Sequence, residues 1–145
     1  MKHYISTMIF LSFMMIDLSA QGKVLPQTSP PAVAKASFEK SYPNASKVKW
    51  EKENAEYEVS FTSNGKGMSA VYDASGRLKE TETTMPVAQL PAPVKSYIAQ
   101  HYKGHKIKEA AEIKYADGTV NYEAEVNKTD VIFDLSGKFI KEDQD

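Results

Sequence analysis

Two stretches of the chain place apolar residues four apart. Ala34, Phe38 and Tyr42 fall at i, i+4 and i+8, and Val94, Ile98 and Tyr102 repeat the spacing 60 residues later. Such a stripe lies along one face of a short helix. Prolines precede both stretches: Pro30 and Pro31 the first, Pro91 and Pro93 the second. A first helical turn tolerates proline because its amide has no intrahelical acceptor. Pro43 stops the first predicted helix and Gly104 closes the second.

After each helix the period drops to two. Val48 and Trp50 share a face, and Tyr57, Val59 and Phe61 then alternate with Glu56, Glu58 and Ser60. In the second half Ile113 and Tyr115 share a face, and Val120, Tyr122, Ala124 and Val126 alternate with Asn121, Glu123 and Glu125. Asn64-Gly65 and Asp117-Gly118 mark hairpin turns. Met68, Ala70 and Tyr72 lead into Asp73-Ala74-Ser75-Gly76, and Val131 and Phe133 lead into Asp134-Leu135-Ser136-Gly137.

These last stretches are two copies of one pattern: apolar, aromatic, Asp, any residue, Ser, Gly, basic, apolar. The copies begin at Val71 and Ile132, 61 residues apart. A repeat of that length implies duplication of a whole supersecondary unit. Each unit reads as one helix followed by three or four antiparallel strands. The fold class is α+β, tandem helix-then-strands repeats whose two short helices cover one face of an antiparallel sheet. Neither helix is long enough to be stable alone in water, so packing must hold both. Phe38, Trp50, Tyr57, Val59, Phe61, Tyr72, Val94, Ile98, Tyr122, Val126 and Phe133 are expected in one shared core. Residues 31–145 form one domain on this reading, with repeats at 31–86 and 87–145.

The N-terminus changes the picture of where this domain works. Met1-Lys2-His3-Tyr4 is followed by an apolar run over residues 5–16 and by Leu18-Ser19-Ala20. A basic start, a short apolar run and a small residue at the break describe a signal peptide over residues 1–20, cut after Ala20. The run falls short of the about 20 residues a membrane span needs, so no stable membrane anchor is expected. Residues 21–30, with Gly22, Pro26, Ser29 and Pro30, read as a flexible lead. The 145-residue chain contains no Cys and carries a net charge of −1. That excludes disulfides and thiolate metal sites, and argues against nucleic acid or an anionic membrane surface as partner.

Candidate chemistry is sparse. His101 and His105 have the spacing of two zinc-binding imidazoles on a helix, but Gly104 falls between them and no third ligand is identifiable. Glu56 with Glu58, and Glu123 with Glu125, lie on one sheet face, where Lys47, Lys49 and Lys114 are expected as cross-strand partners. A solvated face of mixed charge is the expectation there. Asp73 and Asp134 lack the further acidic positions of a calcium loop and are explained by turn chemistry. Ser75 and Ser136 lack a nucleophile setting. The sequons at Asn44 and Asn127 read as chance matches. Trp50, by parity with Val48, belongs to the core rather than to an interface. No catalytic residue, metal ligand or cofactor is assigned, and the binding residues stay undetermined.

Phe38-x3-Tyr42-Pro43-x-Ala45-x2-Val48-x-Trp50, Tyr57-x-Val59-x-Phe61 and Tyr72-Asp73-x2-Gly76 resemble the β-lactamase-inhibitor-like, PepSY-like domain family of exported proteins from Bacteroidetes-type bacteria. The resemblance runs from about Pro31 onward in two copies, the second without an aromatic counterpart of Trp50. It implies a fold similar to β-lactamase inhibitory protein, a periplasmic or outer-surface location, and a role in inhibiting or regulating secreted peptidases. It supplies no catalytic residue, and the residues with which the lactamase inhibitor acts have no match here. The sequence therefore reads as an exported, non-catalytic binding module for a protein of the cell envelope. The alternative is a small-ligand or peptide carrier using the concave sheet face.

Overall fold

A computed structural model describes residues 29–144. The signal peptide expected over residues 1–20 and most of the lead, residues 21–28, lie outside the described residues. The elements follow in order: α1 (Ala32–Ser41), β1 (Ser46–Glu53), β2 (Glu56–Ser63), β3 (Lys66–Asp73), β4 (Leu78–Thr84), a 3-10 turn (Val87–Gln89), α2 (Ala92–His101), β5 (Glu109–Tyr115), β6 (Val120–Val126), β7 (Thr129–Asp134) and β8 (Phe139–Gln144). The eight strands make one sheet in sequence order, each antiparallel to its neighbours. Each repeat thus contributes one helix and four strands.

Both helices bury the stripe that the sequence marks. Ala34 and Phe38 of α1, and Val94 and Ile98 of α2, are buried. Tyr42 and Tyr102 follow the last turns, and each donates its amide to a carbonyl four residues back, Phe38 and Ile98, at 2.8 Å. Pro31 and Pro91 stand in the N-cap positions, and Pro93 lies in the first turn of α2.

The expected single core is instead two. Under α1, Phe38, Trp50, Val59, Phe61, Ala70 and Tyr72 pack together with half-buried Tyr42, Tyr57 and Met68. Under α2, Leu90, Val94, Ile98, Ala110, Ala124, Val126, Val131 and Phe133 form a second cluster, flanked by Tyr97, Tyr122 and Phe139. Cross-strand register gives the reason. Between the two patches the helix-side positions are Thr81 and Thr83 of β4, opposite Lys114 and Glu112 of β5. Polar side chains on that seam cannot join the apolar clusters without losing their hydration.

Trp50 is 9% exposed and sits edge-on to Phe38 with ring centroids 5.6 Å apart, so it is a core residue as its parity suggested. Val48 is not, at 42% exposed. A bulge between Ser46 and Lys49, with Lys47 at φ 54°, inserts one residue into β1 and breaks the alternation before Trp50. In the second repeat Ala110 lies in the core cluster on β5, and the cluster is completed by Leu90, Met85, Val87 and Ile107.

The duplicated turn has one hydrogen-bond pattern in both copies. Oδ1 of Asp73 accepts the Ser75 amide at 2.8 Å, its hydroxyl at 2.5 Å and the Arg77 amide at 3.1 Å. Oδ1 of Asp134 accepts from the same groups of Ser136 and Lys138 at 2.9, 2.6 and 3.0 Å. The Ser75 hydroxyl first, then the amide and guanidinium of Arg77, hold the Asp73 carboxyl far below the ordinary range, and Asp134 is lowered chiefly by the Ser136 hydroxyl. Asn64-Gly65 forms the two-residue hairpin turn with both residues at positive φ, and Asn127-Lys128 does the same without glycine.

Candidate functional site: the acidic sheet face

Alternation along the strands divides the sheet into a helix-covered face and an opposite face that neither helix covers. On the opposite face cross-strand register brings carboxylates side by side. Glu51 faces Glu58 across β1 and β2. Glu58 faces Val71, and Val71 faces Glu80. Glu109, Glu125, Asp130 and Asp143 form one continuous row across β5 to β8. Like charges placed directly opposite each other destabilise a sheet, so fold stability alone does not select this arrangement.

The expectation of a solvated face is wrong for its centre. Glu82, Glu123, Glu125 and Asp130 are buried, and Glu82 is 0% exposed. Val71, Ala111, Ile113 and Ile132 are buried on the same face, so an apolar floor runs between the carboxylates. Lys49 pairs with Glu51 at 2.7 Å, Lys108 with Glu125 at 3.0 Å, and Lys141 with Asp143. Lys114 was expected on this face but lies on the other, 3.1 Å from Glu112, because its register partner is Thr81. Lys47 leaves the strand alternation at the bulge.

Glu82 is the residue that sequence reasoning missed. Both of its carboxylate oxygens are buried and receive no hydrogen bond from the described residues. Burial, followed by repulsion from Glu123, Glu58, Asp130 and Glu80, raises its pKa well above the ordinary 4.5. Burial, with Glu53 and Glu51, pushes Glu58 up to about 7. Glu80 is raised as well, by burial and then by Glu56. The alternation Leu78-Lys79-Glu80-Thr81-Glu82-Thr83-Thr84 carried the signal: read as a strand, it puts Glu80 and Glu82 on the face of Glu58.

The other candidates are not assembled into a site. α2 ends at His101, which stacks on Tyr97 with centroids 4.0 Å apart, and His105 lies beyond Gly104. Among the described residues no group of three His, Asp or Glu is placed to hold a metal ion. Asn44 and Asn127 both lie in exposed turns. A groove of about 530 Å³ opens at the junction of the repeats, with Phe61, Met68, Met85 and Val87 inside and Lys47 and Lys108 among its lining residues. No helix of the described residues is long and apolar enough to cross a membrane.

A family model described as "Putative beta-lactamase-inhibitor-like, PepSY-like" matches the sequence twice, over residues 13–80 and 56–141. The chain belongs to the PepSY-like family. Two overlapping matches agree with the tandem repeat seen in the sheet. Among solved structures, a BLIP-like protein from Bacteroides fragilis is 21% identical with a TM-score of 0.63, covering 80% of this chain and 86% of that one. A protein from Bacteroides eggerthii, described as a putative periplasmic protein, is 16% identical with a TM-score of 0.71, covering 80% and 89%. A DUF2874 family protein from Bacteroides uniformis is 20% identical with a TM-score of 0.69, covering 79% and 89%. At these identities the likeness establishes the fold of the PepSY-like chain. No curated protein matches the sequence.

Proposed function

We propose that this PepSY-like chain is an exported, non-catalytic binding module that engages a protein of the cell envelope through its acidic sheet face. The carrying observation is the set of carboxylates that register places side by side on the uncovered face, Glu51 against Glu58 and Glu109, Glu125, Asp130 and Asp143 in one row, with Glu82 buried at the centre and without a donor among the described residues. Unpaired buried charge is costly, and a fold retains such a group where a partner makes use of it. A periplasmic location draws support from the signal-peptide pattern of residues 1–20 and from the description of the Bacteroides eggerthii neighbour. Regulation or inhibition of a secreted peptidase is the role that the family resemblance favours. Crosslinked capture from periplasmic extract tests the reading, comparing the native chain with an E51K/E56K/E80K variant whose thermal midpoint is measured in parallel. A protein retained by the native chain and lost by a folded variant supports it, and no retained protein sinks it.

The groove at the repeat junction favours a second reading, a carrier of an amphiphilic small molecule. Its apolar lining of Met68, Met85 and Val87 beside polar side chains suits a ligand with an aliphatic body and a polar end. A native mass spectrum of the purified chain showing a co-purified small molecule, absent after Met68→Glu, would move this reading to first place.

A further inference from the structure

We infer that the groove at the junction of the repeats binds an amphiphile with an aliphatic chain and a primary ammonium end, the ammonium held by Glu58 and Ser69. The inference rests on the carrier reading of this groove and names the chemical class of its ligand. Three observations meet here. The groove has a volume of about 530 Å³, inside the range of about 300–1,000 Å³ that small-molecule sites occupy. Met68, Met85 and Val87 line it and are half-buried, so each leaves apolar surface for an entering chain. Glu58 and Ser69 line the same groove. Glu58 is half-buried and can be reached from it. Ser69 is 6% exposed, and its hydroxyl stands beside Glu58 without a hydrogen bond of good geometry to any described residue.

A carboxylate and a buried hydroxyl short of partners call for a donor. A primary ammonium carries three N–H groups, enough for both the Glu58 carboxylate and the Ser69 oxygen. Charge selects it over an anion. Glu51 and Glu53 on β1, and Glu80 and Glu82 on β4, act on Glu58, so an alkyl carboxylate or sulfate would meet repulsion there. The basic residues of the lining are engaged within the chain: Lys108 bonds Glu125 at 3.0 Å, and Lys47 has interactions of its own. Glu109 adds a further carboxylate to the lining. A bare metal ion would leave the apolar lining unused, and no group of three His, Asp or Glu among the described residues is placed to hold one.

Protonation of Glu58 supplies a readout that a merely structural carboxylate would not give. Burial, then Glu53 and Glu51, hold its pKa up at about 7, with the Ser69 hydroxyl acting in the opposite sense and Glu80 adding to the rise. On β1 the basic group of this face is Lys49, paired with Glu51 at 2.7 Å. On β3 Val71 stands opposite Glu58 and Ser69 lies beside it, and neither titrates. An ammonium favours the ionised carboxylate. Binding at pH 6 therefore displaces a proton, and affinity rises with pH until Glu58 is ionised in the free protein. With Glu58 at about 7, the rise between pH 6 and pH 8 is about tenfold.

The probe is decylammonium chloride below its micellar concentration, titrated calorimetrically into the full chain at pH 6 and pH 8. Sodium decanoate, which reverses the charge of the head, and butylammonium chloride, which shortens the chain, are the comparison arms. The expected result is binding of decylammonium, about tenfold tighter at pH 8, with proton release at pH 6 read from two buffers of different ionisation enthalpy. Decanoate and butylammonium should each bind at least about tenfold more weakly. Glu58→Gln should abolish the pH dependence, and Ser69→Ala should weaken binding about threefold or more at both pH values. Ser69→Ala removes a single atom and keeps the test open should Glu58→Gln fold poorly. Decanoate or butylammonium binding as tightly as decylammonium, or decylammonium binding unchanged in both variants, overturns the inference. If decanoate binds and decylammonium does not, or the native mass spectrum shows a co-purified molecule without an amine, the ammonium assignment falls and the carrier reading stands. If neither amphiphile binds and that spectrum shows no small molecule, both fall.

Discussion

A methyl group added at Gly76 would stand 2.8 Å from the Val33 carbonyl oxygen, and one at Gly137 would stand 2.9 Å from Cβ of Pro93. Each duplicated turn therefore packs against the start of its own helix, and its glycine serves both the positive φ and the close approach. Gly65 has the positive φ alone, with nothing within 4 Å of the added methyl. Gly65→Ala should cost about 1–2 kcal/mol, the strain of a left-handed alanine. Gly76→Ala should cost about 1–3 kcal/mol more, because the methyl must displace backbone atoms of α1. Chemical denaturation of the two variants checks the difference, and equal costs would refute the helix-docking role. Titration at single residues gives a second expectation. Lowered pKa values at Asp73 and Asp134 contribute stability that is present above the ordinary 3.8 and lost as pH falls. The raised Glu58 contributes in the opposite sense: its stability is full below 4.5 and lost as pH rises through about 7. Thermal midpoints measured against pH should thus peak in the acidic range, near the ordinary carboxylate values, and E58Q should flatten the decline toward pH 8, raising stability there by about 1–3 kcal/mol. A midpoint that keeps rising from pH 5 to 8 in the native chain would contradict this.

The element that decides the site is β4. Its outward and inward positions alternate Glu and Thr, a pattern with no apolar residue between Leu78 and Met85 to mark a face. Hydrophobic periodicity locates strands by their buried apolar side, so it registered β2, β3, β6 and β7 and passed over β4. The helices were legible for the converse reason: their stripes, their prolines and their stops all agreed, and the structure places both within three residues of those marks. The face assignment of Glu58 and Glu123 was legible too, but not their burial, which depends on the apolar floor of Val71, Ala111, Ile113 and Ile132. Val71, Ala111 and Ile132 stand at parities that a two-sided alternation gives to solvent, and Ile113, read with Tyr115 as an apolar pair, lies on the face away from the helices. Burial of Glu82 in β4 carries its own expectation. E82Q keeps the shape of the side chain and cannot ionise, so its stability should fall less with rising pH than that of the native chain, and the difference should favour the variant as the native carboxyl ionises. Native-state hydrogen exchange of the β3–β4 and β4–β5 amides locates the gain. A native chain whose stability is as insensitive to rising pH as that of E82Q would refute this expectation.

At the scale of the whole molecule, duplication produced a continuous sheet over a divided core. The repeat was legible from the twice-written Asp-x-Ser-Gly turn, because turn chemistry is local and survives divergence. The division was not, because it depends on which side chains of β4 and β5 meet across the junction, and that is set by register between strands 30 residues apart. Thr81 opposite Lys114 and Thr83 opposite Glu112 leave a polar seam where a shared core would need apolar contact. The backbone ladder between β4 and β5 then carries the mechanical continuity, while the two side-chain clusters carry packing energy separately. Separate clusters make a quantitative demand on double mutants. Val59→Ala in the first cluster should cost about 2 kcal/mol and Ile98→Val in the second about 0.5–1.5 kcal/mol. Sites without shared packing partners add to within about 0.5 kcal/mol. The double variant should therefore lose the sum, with no coupling beyond that margin, whereas Val59→Ala combined with a truncation of its cluster partner Phe38 should depart from additivity. A coupling above about 1 kcal/mol between Val59 and Ile98 would show that the seam transmits packing and that the two repeats share one core after all.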